Sequence, residues 1–347
     1  MKIFRYSLVA AVLAFAACSS DTEEQLPADY SGVKVNPDIT VTDSLQGKFT
    51  KAGTGQSNTG PESSTYFKVG EHVGILLLDD KTNQLYSDTK EVGVLRYTYD
   101  GVYWGTYDAY GMTEDYCRVY CFYPYPDSED HSYDGLWPNS YRKIETASNT
   151  DYLWGESVIP SSSPGVNGMT PQVHIRMNHA LCRVSFQLKR KLAYDPNSTI
   201  GKGAVTSFNA QGFDASNRSM HGTSKYCFIT GNVVTPVTAD KNPVSFSTLA
   251  GNSIPQPVNS TLGDTNEFMS MVPGTGTIKI NLTIDGQSYL VTIPAYTYRA
   301  GYHYLITLEY TGSQIIFPDG SGATDGKMKI IPWTSGGSIG VKGLIER

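Results

Sequence analysis

Between residues 278 and 284 the chain alternates without a break. Ile278, Ile280, Leu282 and Ile284 take one parity, and Lys279, Asn281 and Thr283 the other. A period of two puts one set on a single face of an extended backbone, so the segment can bury that face only as a β-strand. Asp285-Gly286 follows. The pair tolerates the φ > 0 that a two-residue type I′ turn demands, so residues 287–293 return as the second strand of a hairpin. Outside the first seventeen residues, no window of a dozen residues holds a 3.6 period, the mark of an amphipathic helix. Composition agrees: 24 Tyr and 34 Gly, with only 17% charged residues, favour strands and turns over helices. The chain is expected to be all-β.

Further strands are expected at residues 65–69, 73–78, 92–99, 117–123, 172–177, 182–188, 204–208, 227–237, 244–249, 302–310 and 327–333. Residues 33–42 alternate more weakly and read as an edge strand, where Pro37 is tolerable at a non-pairing position. Residues 47–61 read as loop, and 126–150, rich in Pro, Ser and Asp, as a long surface excursion. Many short strands with Gly and Asp turns point to β-sandwiches. Two fit 347 residues, an N-terminal one over 33–170 and a C-terminal one over 171–347.

The N-terminus carries an address. Lys2 and Arg5 precede a short apolar run over residues 8–17, too short to cross a bilayer as a helix. Ala16 and Ala17 lead into Cys18. Small-small-Cys at this place resembles the lipobox of bacterial lipoproteins, with Phe15 where Leu is usual, which implies lipidation at Cys18 and an outer-membrane anchor. Residues 1–17 are then a signal peptide and 18–32, polar and acidic, a flexible tether. The acidic cluster resembles surface-export signals of some Gram-negative lipoproteins. A net charge of −6 supplies no basic stripe for phosphates, so no nucleic acid is expected as a partner.

Chemistry is sparse. Cys117 and Cys121 share a strand face about 13 Å apart, too far to bridge each other. Either could pair with Cys182 or Cys227, and the reading taken is buried free thiols. His174 and His179, five apart, fall on opposite strand faces and are read as structural. Asp79-Asp80 reads as a solvated loop. The Asp319-Gly-Ser-Gly-Ala-Thr-Asp325 run lacks the closing bidentate Glu of a calcium loop, since Ile330 stands there. Gly336-Gly-Ser338-Ile-Gly340 spells a nucleophile elbow without room for the partners that must follow it. No cofactor, metal or enzymatic activity is expected.

Four fragments, in order, resemble the fimbrillin family, the Mfa-like type V pilus subunits. They are Phe67-Lys-Val-Gly-Glu-His-Val-Gly-Ile75; Asp151-Tyr-Leu-Trp-Gly155; His174-Ile-Arg-Met-Asn-His-Ala-Leu-Cys-Arg-Val-Ser-Phe186; and Tyr302-His-Tyr-Leu-Ile-Thr-Leu-Glu-Tyr-Thr-Gly312 followed by Ile330-Ile-Pro-Trp333. The resemblance implies two transthyretin-like β-sandwich domains in tandem and a subunit assembled with other pilus subunits by donor-strand exchange. An N-terminal plug strand, here residues 33–42, is cut away, and the C-terminal strand of another subunit takes its place. The donor candidate holds Ile339, Val341 and Ile345 on one parity. The family's best-known route cuts after Arg, yet none lies between Cys18 and Arg96. Lys51 and Lys48 are the basic residues in the right loop, so either a Lys-tolerant protease acts or the subunit is not matured this way.

Aromatic residues offer a rival function. Trp104, Tyr107, Tyr110, Trp137 and Trp154 could form a platform for sugar rings on a carbohydrate-binding surface lipoprotein, with Tyr107, Tyr110 and Trp137 in expected loops. The competing reading is that Tyr and Trp fill half-buried sheet faces. Host or bacterial surface glycans and proteins are the partners either adhesive role implies.

Overall fold

The computed structural model describes residues 33–42, 49–51, 67–86, 93–125, 141–146, 150–158, 165–193, 195, 201–234, 243–263, 266–316 and 328–332. Among them are twenty-one strands, β1–β21 in chain order, and no α-helix. No helix there is long and apolar enough to cross a membrane.

The largest sheet has eight strands. Its order is β2 (Phe49–Lys51), β1 (Asn36–Thr42), β9 (Gln172–His179), β8 (Leu153–Ser157), β6 (Cys117–Tyr123), β3 (His72–Asp79), β4 (Val94–Tyr99) and β5 (Trp104–Gly105). All neighbours are antiparallel except β1 and β9, which run parallel. Residues 75–78 of β3 are Ile-Leu-Leu-Leu and wholly buried, because both faces of the sheet are covered. Ile75 and Leu77 join Val119, Cys121, Tyr97 and Ile175 in one core. Leu76 and Leu78 join Tyr120 and Phe122 in the other.

The cover of that second face comes from both halves of the sequence. A three-stranded sheet, β13 (Val233–Val234), β12 (Thr223–Cys227) and β7 (Tyr141–Glu145), pairs β7 with β12 across residues 141–145 and 223–227. Phe228 beside it packs 4.7 Å from Phe122, centroid to centroid.

The remaining strands form two facing sheets. One holds β15 (Thr261–Leu262), β10 (Cys182–Arg190), β19 (Tyr302–Tyr310) and β20 (Ile315–Ile316), with β16 (Met269–Met271) on β10 and β21 (Met328–Pro332) on β19. The other holds β14 (Val244–Ser245), β11 (Val205–Asp214), β17 (Gly274–Ile284) and β18 (Gln287–Tyr298). Phe186 of β10 meets Phe208 of β11 at 5.3 Å across this sandwich, and Phe246 touches both. Ile278, Ile280, Leu282 and Ile284 all point into it. The hairpin turns at Asp285 (φ 50°) and Gly286 (φ 79°), the two positive φ values of a type I′ turn. The Asp285 carboxylate accepts from the Gly203 and Ala204 amides and the Tyr310 hydroxyl. Burial raises its pKa, but these three donors outweigh burial and hold it below the usual carboxylate range.

Around residue 171, where the second sandwich is expected to begin, the chain enters β9. β9 belongs to the eight-stranded sheet, the chain changes sheets at Ala180-Leu181, and β7 and β12 tie the two halves together. Residues 33–42 are not an edge strand throughout, because β2 pairs with residues 40–42 on the outer side of β1. β2 itself lies in an expected loop, and β7 in the expected surface excursion. The four cysteines described are buried and free. Burial pushes the Cys117 thiol up to about 12, with Asp79 and Asp80 nearby adding to the rise.

Candidate functional site

The segment expected to act as a plug lies within the eight-stranded sheet, between β2 and β9. Along β1 and its approach, Val35, Pro37, Ile39 and Val41 are buried, while Asn36 and Asp38 are exposed. The period of two thus delivers Val35, Ile39 and Val41 to the core, with Pro37 buried on the same parity, and Ile39 has no exposed surface. Fully burying one such side chain contributes about 1.5–3 kcal/mol. On the polar face, Asp38 stands 3.3 Å from His174, its register partner on β9.

Backbone pairing differs on the two sides of the strand. On the inner side β1 runs parallel to β9 from Asn36↔Gln172 to Val41↔Met177, and the Asn36 amide donates to the Pro171 carbonyl at 2.9 Å. On the outer side β2 pairs only with residues 40–42. Ahead of that, a loop takes over. Met112 donates its amide to the Val33 carbonyl at 2.9 Å. Val35 donates its amide to the Tyr110 hydroxyl at 2.8 Å, and the Tyr97 hydroxyl donates to the Val35 carbonyl at 2.9 Å. The two hydroxyls lie 2.5 Å apart. Lys34 reaches the Thr106 and Asp108 carbonyls at 3.2 and 2.9 Å.

Burial pushes the Tyr110 phenol up to about 12, against the lowering effect of its hydrogen bonds with Tyr97 and Val35. It pushes Tyr97 higher still, with the neighbouring Tyr110 adding to the rise. Both stay protonated at any physiological pH and serve as fixed hydrogen-bonding groups. Sequence spacing carries no signal for this contact, since Tyr110 lies seventy-five positions from Val35.

Other expected site residues scatter. Lys51 ends β2, opposite Thr40. Cys18, Lys48, Trp137, Ile339, Val341 and Ile345 lie outside the described residues. Tyr107 is 95% exposed, but Tyr110 is not the stacking residue expected, because its ring is buried and its hydroxyl serves Val35. Trp104 is also buried, edge-on to Phe67 at 5.0 Å. Trp154 lies so close to Gly231 that a Cβ there would stand 1.9 Å from its ring. His174 and His179 take opposite faces, His174 toward Asp38 and His179 buried against Asp151. Among the described residues no cluster of three His, Cys, Asp or Glu could hold a metal ion.

A candidate cell adhesion protein from Bacteroides ovatus has a similar fold, with TM-score 0.53 and 11% identity over 92% of this chain and 100% of that one. A second, from Bacteroides uniformis, gives 0.50 and 13% over 87% and 99%. No curated protein matches the chain. A family model described as fimbrillin-like matches residues 50–333, most of the sequence. The chain belongs to the fimbrillin-like family.

Proposed function

We propose that this chain is a structural, adhesive subunit of a surface fimbria, exported as a lipoprotein through Cys18 and assembled by donor-strand exchange. The observation that carries the reading is the seating of residues 33–41: Val35, Ile39 and Val41 fill a core built by other strands, and Pro37 is buried on the same parity. A cut after Lys51 severs β1 and β2 together from the rest of the chain. Their departure leaves β9 as the sheet edge, with a row of unpaired backbone groups and an open apolar floor, the two needs that strand addition meets. Residues 339–345 supply a matching alternation in sequence.

The Lys51 and Lys48 sites require a protease that accepts Lys. The test is digestion of the full chain with a Lys-directed protease, followed by size analysis. Polymers formed only after cutting support the reading. Cut chains that stay monomeric, with residues 33–51 still bound, count against it. The carbohydrate-binding alternative draws less support, since burial takes Tyr110 from its platform.

A further inference from the structure

We infer that Tyr97 and Tyr110 form a backbone clamp that fixes the register of whichever strand occupies the groove beside β9. For the strand seated now this rests on the geometry alone; for a strand donated by another subunit it rests on the exchange reading above.

In an extended chain the N–H and C=O of one residue point to the same side. At Val35 both point away from β9, and among the described residues no strand lies there to receive them. The tyrosines take that strand's place. Val35 N–H donates to the Tyr110 oxygen, and the Tyr97 hydroxyl donates to the Val35 carbonyl. The Tyr110 proton then has the Tyr97 oxygen, 2.5 Å away, as its acceptor. Every donor in this closed loop is used once. The clamp reads one peptide group and ignores the side chain attached to it.

Two consequences follow for a strand in this groove. The clamped position needs an N–H, so proline is excluded there. Two residues on, at Pro37, proline is already present. A strand slipped by two residues would keep its apolar parity, but here it would place Pro37 in the clamp and leave the Tyr110 oxygen without its donor. An empty groove leaves both buried hydroxyls and the Met112 amide short of partners, a cost that any occupant removes only in the correct register.

The test uses the full, uncut chain with Tyr97→Phe and Tyr110→Phe. Amide hydrogen exchange at Val35 should accelerate about tenfold or more in both variants, and exchange at Ile75 in β3 should not change. Register is read by disulfide trapping. With Asp38→Cys and His174→Cys the native pair should cross-link in every background. With Asp38→Cys and Gln172→Cys, the pair that a slip placing Pro37 in the clamp would bring into register, cross-linking should appear only when a clamp tyrosine is lost. Unchanged protection at Val35, or acceleration spread equally to Ile75, would overturn the clamp. Accelerated exchange without any slipped cross-link would overturn its role in register. None of these readings needs assembly, so failure of strand exchange and failure of the clamp are told apart.

Discussion

Ile39 makes the clearest prediction about a single side chain. It is wholly buried midway along β1, so Ile39→Ala should cost about 2–5 kcal/mol in urea unfolding. Asp38→Ala, on the exposed face of the same strand, should change stability by less than about 1 kcal/mol. Gly155 is constrained by its neighbour rather than by its own dihedrals. A Cβ there would stand 2.1 Å from the Arg176 carbonyl oxygen of β9, so Gly155→Ala should destabilise by about 1–3 kcal/mol. His303 sets a pH dependence. It is buried, 2.7 Å from the Ser185 hydroxyl, and burial, helped by the nearby Arg183 charge, depresses its pKa to about 3. Neutral when folded and titrating near 6.5 when unfolded, it contributes stability that is complete above pH 6.5 and lost as pH falls toward 3. Each pH unit in that window costs about 1.4 kcal/mol. Urea midpoints between pH 6.5 and 5 should fall for the wild type and fall less for His303→Gln. At this scale the sequence revealed parity and little else. It placed Ile278 to Ile284 on one face and His174 opposite His179. It could not show that Tyr110 turns inward, because its contact with Val35 joins distant parts of the chain.

At the scale of elements, strands with strict alternation or a strong turn were legible, and strands defined by their neighbours were not. The Asp285-Gly286 hairpin follows from local chemistry alone, as does β6, bounded by Pro124. β2 and β7 were hidden because Phe49-Thr-Lys and Tyr141-Arg-Lys-Ile-Glu lie in polar surroundings with little apolar alternation, and only pairing makes them strands. Direction was equally hidden. A period of two says which side chains share a face, but not whether β1 runs parallel to β9 or β10 to β19, as both do. The parallel seating of β1 has a consequence that proteolysis can read. β2 holds only three residues of β1 on its outer side, so after cleavage at Lys51 the C-terminal end of the strand should loosen first and the clamped end at Val35 last. Hydrogen exchange on cut chain should show protection lost at Val41 before Val35; the opposite order would contradict this account of how the strand leaves.

For the whole molecule, the all-β class was legible from the missing helical period and the abundance of Tyr and Gly. The pairing of β7 with β12 was not, because it joins residues about eighty positions apart. That sheet joins strands from both halves of the sequence. Removing residues 339–347 should abolish assembly while leaving a folded monomer, checked by size analysis together with far-UV circular dichroism. The most direct test of the central claim is N-terminal sequencing and intact mass of the protein taken from the cell surface, run beside an unheated gel. The account predicts chains starting at Ala52 or Phe49 within a ladder of oligomers. Chains that all start at an acylated Cys18 and migrate only as monomers would contradict it.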